Sequence, residues 1–132
     1  MTVAEAESAY NAAKAEYTRI ENVLSNLTSI KGYLSQASLS FGLAKSEMES
    51  CEIAIIAADI KISSFEQYEQ IFAENKEKID STDTKINGFI DEVDSAIQKA
   101  DGDLETAHTA VKNAYQDWIN ASCMETGSYN HG

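Results

Sequence analysis

Apolar and small residues recur along the first third of this chain at alternating intervals of four and three residues. They are Ala6, Tyr10, Ala13, Tyr17, Ile20, Leu24, Leu27, Leu34 and Phe41, and only Lys31 and Ser38 interrupt the series. An average interval of about 3.5 residues is typical of the seam between packed α-helices, whereas strands have a period of about two. The pattern therefore predicts a first helix with one apolar face.

Two further apolar runs follow at the same spacing. The second contains Ala44, Met48, Cys51, Ile55, Ala58, Ile62, Phe65 and Phe72, and an additional row of Ile53, Ile56 and Ile60 broadens its stripe. The third contains Ile79, Ile86, Ile90, Val93, Ile97, Ala100, Leu104, Ala107, Val111, Ala114, Trp118 and Ala121. The broad stripe predicts that the middle helix is the most buried, with Cys51 as a small core residue.

Helix breaks have to be placed without proline, which is absent. Residues 38–42 are the predicted first turn, because serines precede Gly42, which can adopt a left-handed conformation. Two places compete for the second break: residues 80–84, which offer N-cap residues, and Ser63 with Glu66, which match a capping box. The predicted fold is an all-α, elongated antiparallel helical bundle or hairpin with coiled-coil-like heptad packing. Residues 1–123 form its single domain, and residues 124–132 are expected to be a disordered tail.

The charge of the chain narrows the classes of partner. With 22 acidic and 10 basic residues the net charge is −12, which disfavours binding to nucleic acids and to anionic membrane surfaces. No apolar run approaches the roughly 20 residues of a membrane span, and no secretory signal begins the sequence. We therefore expect a soluble protein made in the cytoplasm, with neither nucleic acid nor membrane as its ligand.

Candidate catalytic and metal-binding groups are sparse. Glu105 and His108 have the spacing used in di-iron helical bundles, but such sites need a second pair, and the only other histidine is His131. A calcium loop opening at Asp101 would need a glutamate at its twelfth position, which is Lys112. The sequence predicts no enzyme activity, no metal and no cofactor, and a helical-bundle metalloenzyme is the least favoured class.

The surface between Asn26 and Gly42 carries a single charge, that of Lys31. A face without charges is cheap to desolvate against a partner, although a helix central in its own bundle would look the same. The candidate partner-binding face consists of Ser25, Ser29, Tyr33, Gln36 and Phe41. The expected partner is another helical protein or a second copy of the chain.

In length, acidity and helicity the chain resembles the small WXG100-like and LXG-toxin partner proteins of Gram-positive type VII secretion. Ser40-Phe41-Gly42 takes the place of their Trp-x-Gly turn without matching it, and the only tryptophan is Trp118. Residues 17–21 have the spacing of the Tyr-xxx-Glu export signal, but they do not follow the C-terminal helix. The resemblance implies a partner or targeting chaperone that binds a secreted toxin and is exported with it. The alternatives are a coiled-coil scaffold or adaptor and an unrelated export chaperone.

Overall fold

A computed structural model describes residues 1–58 and 65–126. It contains two α-helices, α1 over Val3–Ala57 and α2 over Phe65–Thr126, and no strand among the residues it describes. The predicted all-α fold, in its hairpin form, is confirmed. The turn predicted at residues 38–42 and the break considered at residues 80–84 are wrong, because α1 runs through the first and α2 runs through the second.

The predicted turn at residues 38–42 lies inside α1 because its polar side chains find partners without leaving the helix. Ser40 Oγ donates to the carbonyl oxygen of Gln36 one turn earlier at 3.0 Å, and Ser38 Oγ donates to Asp83 Oδ1 at 2.5 Å. Gly42 is helical and does not have a left-handed φ. The residues that indicated a turn are thus compatible with a continuous helix.

The proposed break at residues 80–84 is likewise helical, within α2. Thr84 Oγ1 donates to the carbonyl oxygen of Asp80 at 2.9 Å, so the threonine bonds its own helix instead of capping a new one. The competing break at residues 63–66 is compatible with the start of α2, although Ser63 and Ser64 lie outside the described residues. Glu66 occupies the first turn, where the helix dipole favours an acidic side chain.

The N-terminus of α1 is capped by Thr2. Thr2 Oγ1 accepts a hydrogen bond from the backbone N–H of Glu5 at 3.1 Å, and Thr2 and Glu5 have the spacing of a capping box. At the other end of the chain, α2 continues through Thr126. Residues 124–126, which the sequence assigned to a tail, are therefore helical, and residues 127–132 lie outside the described part of the chain.

Two rows of residues on each helix are at least partly buried, and we call them seam rows. In α1 they are Ala6, Ala13, Ile20, Leu27, Leu34, Phe41, Met48 and Ile55, and then Tyr10, Tyr17, Leu24, Lys31, Ser38, Lys45 and Glu52. In α2 they are Phe72, Ile79, Ile86, Val93, Ala100, Ala107, Ala114 and Ala121, and then Lys76, Asp83, Ile90, Ile97, Leu104, Val111 and Trp118. Each row repeats every seven residues without a change of phase, as one continuous helix requires.

The chain divides into two units. Unit 1 consists of residues 1–28 and 95–132, and unit 2 consists of residues 29–94. In each unit a segment of α1 packs antiparallel to a segment of α2. Unit 1 contains four of the five buried apolar residues of the described chain, namely Ala6, Ile20, Ala100 and Ala107, while unit 2 contains only Val93.

Candidate partner-binding surface

The predicted partner-binding residues do not all share one surface. Ser25, Ser29, Tyr33 and Gln36 are exposed on α1, with Ser25 in unit 1 and the other three in unit 2. Phe41 is half-buried and belongs to a seam row, on the side of α1 that faces α2. The structure thus separates Phe41 from the other four residues.

The seam of unit 2 is polar on one row of α1. Lys31 Nζ lies 2.6 Å from Asp94 Oδ1, Lys45 Nζ donates to both carboxylate oxygens of Asp80 at 2.9 and 3.0 Å, and Ser38 donates to Asp83. These positions are the continuation of the row that reads Tyr10, Tyr17 and Leu24 in unit 1. In unit 2, polar contacts therefore replace apolar packing along this row.

The last pair of the row is the least exposed of the ion pairs. Lys76 Nζ lies 3.1 Å from Glu52 Oε1 and donates a hydrogen bond to Oε2 at 3.3 Å, and the two side chains are 24% and 22% exposed. Oε1 is buried and accepts no hydrogen bond of good geometry. Removing Lys76 would leave a partly buried carboxylate without compensation, which is more costly than losing an exposed pair.

The ion pair with Asp80 also stabilises the charged form of Lys45. The hydrogen bond from Lys45 to Asp80 raises the pKa of the lysine above its ordinary value, and the Coulombic attraction of Asp80 and Glu49 contributes in the same direction. Lys45 is thus fully charged at neutral pH. Its charge is directed toward α2 and not toward the outer side of α1.

Large apolar side chains of unit 2 lie on the outside. Leu39, Leu43 and Ile53 are 66%, 58% and 66% exposed. Together with three small exposed residues they form the outer stripe, which we define as Leu39, Leu43, Ser46, Ser50, Ile53 and Ala57. Intervals of four and three residues place all six on one side of α1, and heptad geometry places that side opposite the seam. The outer stripe contains no charged residue.

This arrangement corrects the prediction that the middle of the chain is the most buried. Ile53 and Ile56, expected to broaden a buried stripe, are exposed, and so is Cys51. Ile60 lies outside the described residues. The side of α1 that faces α2 in this region is the one with Lys45 and Glu52, because these residues have acceptors or donors on α2. Ile53 is left on the opposite side, while Met48 and Ile55 remain in a seam row.

Sequence reasoning missed Leu39 and Leu43 as candidate binding residues. Their signal was present, since intervals of four and three residues connect positions 39, 43, 46, 50, 53 and 57 outside the seam. It was hidden because the second apolar row at Ile53 and Ile56 was interpreted as core. Burial, which decides between core and surface, depends on the packing of α2.

Unit 1 has a different character, with aromatic packing in its seam. The ring centroids of Tyr10 and Trp118 are 5.4 Å apart, and those of Tyr10 and Tyr115 are 5.5 Å apart. The Lys14 ammonium lies 4.5 Å from the centroid of the Tyr10 ring, within the range of a cation–π contact. These contacts pack α1 against α2 at this end of unit 1.

Unit 1 also has an open groove of about 360 Å³. It is lined by Arg19, Ile20, Val23, Leu27, Ala96, Lys99, Ala100 and Asp103. Its two cations already have anionic partners: Arg19 binds Glu16 at 2.7 Å and Lys99 binds Asp103 at 2.8 Å. The hydrogen bond from Arg19 also lowers the pKa of Glu16. The groove therefore offers no uncompensated charge to an anionic ligand.

The residues considered as catalytic or metal-binding candidates lie on the surface of unit 1. Glu105 and His108 are exposed, and the His108 ring packs against Tyr17 with centroids 5.9 Å apart. Among residues 1–58 and 65–126, no group of three or more His, Cys, Asp or Glu residues is arranged to hold a metal ion. Cys123 is half-buried. The outer stripe is thus the feature of the described chain that its internal packing explains least.

Comparisons with protein-family models, with curated proteins and with solved structures gave no match to this chain. Within the described part of the chain, neither helix has a stretch long and apolar enough to cross a membrane. The class that the fold defines is therefore an all-α helical hairpin, and its function has to be argued from its own surface.

Proposed function

We propose that this chain is a non-enzymatic protein-interaction module that binds an α-helix of another protein on the outer stripe of α1. The observation that carries the proposal is the row of exposed aliphatic side chains on α1 in unit 2. One of the two seam rows there is polar, with Lys31, Ser38, Lys45 and Glu52, while Leu39, Leu43 and Ile53 lie outside. An aliphatic stripe of this kind is typical of a surface that becomes buried in a complex.

The proposal extends the predicted binding face along α1. Tyr33 and Gln36 are exposed on the same helix just before the outer stripe begins at Leu39. A helix that packs on the stripe would contact them at its end without burying a charge, since no charged residue lies between Tyr33 and Ala44. Ser29 and Ser25 lie further from the stripe. Phe41 lies in a seam row and packs α1 against α2, so its role is to support the stripe from the inner side.

The narrower role, a partner or targeting chaperone of a secreted LXG-type toxin, rests on the resemblance in length, acidity and helicity alone. Such a toxin is the first partner to test. A coiled-coil scaffold or adaptor would use the same surface with a different partner, and a second copy of the chain would use it in a homodimer.

The experiment introduces a photo-crosslinking amino acid at Leu43 in cells, identifies the crosslinked protein, and titrates the purified partner against the full chain. The double variant Leu39→Gln/Leu43→Gln should weaken binding at least tenfold while the helical circular dichroism signal is unchanged. Glutamine is a good helix former, and surface substitutions usually change stability by less than about 0.5 kcal/mol.

The matched control is Ile71→Gln, which removes a 47% exposed aliphatic side chain of the same unit from α2 instead of α1. This variant should bind like the wild type. Equal binding by Leu39→Gln/Leu43→Gln and the wild type would refute the outer stripe as the binding surface.

A further inference from the structure

The charges around the outer stripe indicate the chemistry of its partner. Both lysines that α1 contributes to unit 2, Lys31 and Lys45, are held in ion pairs with Asp94 and Asp80 of α2. Glu47 and Glu49 are exposed, and neither forms an ion pair within the described residues. The charged residues on this part of α1 that form no ion pair are therefore the two carboxylates, of which Glu49 also attracts Lys45 one turn earlier.

The two carboxylates lie on opposite sides of the outer stripe. Glu47 follows Ser46 by one residue and Glu49 precedes Ser50 by one, and in a helix of 3.6 residues per turn a step of one residue is a rotation of about 100°. A helix packed on Leu43, Ser46 and Ser50 would thus have a carboxylate near each of its edges.

We propose that the helix that covers the outer stripe is a basic amphipathic helix. Its apolar side packs on Leu39, Leu43 and Ile53, and its Lys or Arg residues pair with Glu47 and Glu49. This inference rests on the proposed function and specifies the partner. The net charge of −12 adds a long-range attraction for a cationic partner, which raises the association rate.

A second copy of the chain fits this surface less well. The outer stripe extends from residue 39 to residue 57, so its midpoint is residue 48. An antiparallel, two-fold symmetric pairing of two stripes would bring Glu47 and Glu49 of both copies together at the centre. Like charges at an interface are destabilising, and the net charge of each chain adds to the repulsion.

The ion pairs of unit 2 keep the outer stripe available. Turning α1 so that Leu39 and Leu43 faced α2 would remove Lys45 from Asp80 and Glu52 from Lys76. This rotation is unfavourable because it would take Phe41 and Met48 out of the seam and leave Lys76, which is partly buried on α2, without its counter-ion. The stripe runs over 19 residues, from Leu39 to Ala57, a rise of about 27 Å at 1.5 Å per residue, so a partner helix of about five turns would cover it.

The experiment uses the full chain and three fluorescent synthetic peptides of about 20 residues, with binding measured by anisotropy. The first has a leucine stripe flanked by lysines, the second has glutamates in place of those lysines, and the third keeps the lysines but has its leucines shuffled. The lysine peptide should bind at least tenfold more tightly than either of the others, and its affinity should fall several-fold as salt is raised from 50 to 300 mM.

Two double variants test which carboxylates attract the lysine peptide. Glu47→Gln/Glu49→Gln should weaken binding of the lysine peptide several-fold, whereas Glu7→Gln/Glu21→Gln, which removes the same charge from exposed positions of unit 1, should not. If both double variants have the same effect, net charge alone acts and the pairing with Glu47 and Glu49 is wrong.

The remaining outcomes separate this inference from the proposed function. Equal binding of the lysine and glutamate peptides, lost in Leu39→Gln/Leu43→Gln, would overturn the basic partner and leave the binding surface in place. Binding that is indifferent to Leu39→Gln/Leu43→Gln, or absent for all three peptides, would overturn both. A dimer in sedimentation that Leu43→Gln dissociates would identify a second copy as the occupant and overturn the basic partner.

Discussion

Isoleucines of α1 have opposite environments depending on their position in the heptad. Ile20 is 6% exposed in a seam row of unit 1, whereas Ile53 is 66% exposed on the outer stripe of unit 2. The hydrophobic contribution of a side chain depends on the apolar area it removes from water. The same residue type is therefore structural at one position and available to a partner at the other.

This contrast can be measured with one substitution at two positions. Ile20→Ala should lower the free energy of unfolding by about 2–4 kcal/mol, because it removes buried methyl groups and leaves a cavity. Ile53→Ala should change it by less than about 0.5 kcal/mol, as expected at an exposed position. Urea unfolding followed by circular dichroism provides both values, and similar losses at the two positions would show that Ile53 is buried in solution.

The titration of Lys45 is a second test at the residue scale. Its folded pKa is raised above 10.5, so the contribution of the Lys45–Asp80 pair is fully present below the unfolded pKa and is lost as the pH rises through the folded value. Asp80→Asn should lower the pKa of Lys45, which an NMR titration of its Cε resonance can follow. An unchanged pKa would mean that the pair does not persist in solution.

At the scale of the element, α1 is one continuous helix, but one of its seam rows changes from apolar to polar residues along its length. The heptad phase of α1 is the same from Ala6 to Ile55, but one row changes from aromatic and aliphatic to polar at Lys31. Polar groups in a seam select the register and partner of a helix at a cost in stability. In unit 2 they favour one antiparallel register of α1 on α2 over shifted ones.

The Glu52–Lys76 pair allows this cost to be measured. Lys76→Met should destabilise the protein by about 1–3 kcal/mol, because Glu52 is left partly buried without its counter-ion. The double variant Glu52→Leu/Lys76→Leu should recover that loss or exceed wild-type stability, since apolar packing replaces two desolvated charges. Additive destabilisation in thermal unfolding would show that the two residues do not interact.

Gly42 tests whether α1 is continuous. The Cβ of an alanine at this position would meet no atom within 4 Å, and Gly42 lies inside the helix. Gly42→Ala should therefore raise the free energy of unfolding by about 0.5–1 kcal/mol, through helix propensity and the lower entropy of the unfolded chain. If residue 42 were in a left-handed turn, the same substitution would lower the free energy of unfolding.

At the scale of the whole molecule, the two units differ in how many apolar residues they bury. Unit 1 contains the buried Ala6, Ile20, Ala100 and Ala107 and the aromatic cluster around Tyr10, whereas unit 2 buries only Val93 among its described residues. Local opening costs least where few apolar contacts are buried. Unit 2 is thus expected to be the less stable of the two units.

Native-state hydrogen exchange can measure this difference. Amides of residues 30–57 and 66–92 should exchange at least tenfold faster than those of residues 10–27 and 97–120. Addition of the lysine peptide should slow exchange in unit 2 more than in unit 1, since binding stabilises the folded state of the unit that binds. Uniform protection across both units would contradict the expected difference in stability between unit 1 and unit 2.

The periodicity of the sequence alone determined that the protein is helical and which seam rows are buried in unit 1. Intervals of four and three residues suit no strand, and the absence of proline left the helices uninterrupted. Tyr33 and Gln36 were assigned to a candidate binding face because they lie in a segment with few charges, and that assignment stays a prediction. These features depend on neighbours within one helical turn or one heptad, and the sequence contains that information directly.

The tertiary structure alone decided where α1 ends and which side of it faces outward in unit 2. The turn signals at residues 38–42 failed because Ser38 has an acceptor on Asp83, which is 45 residues away. Ile53 and Ile56 are exposed because other residues of α1 occupy the side that faces α2. Met48 and Ile55 pack there, and Lys45 and Glu52 pair with Asp80 and Lys76. Such pairings join groups distant in sequence, so the free energy of packing two helices determines them and local propensity does not.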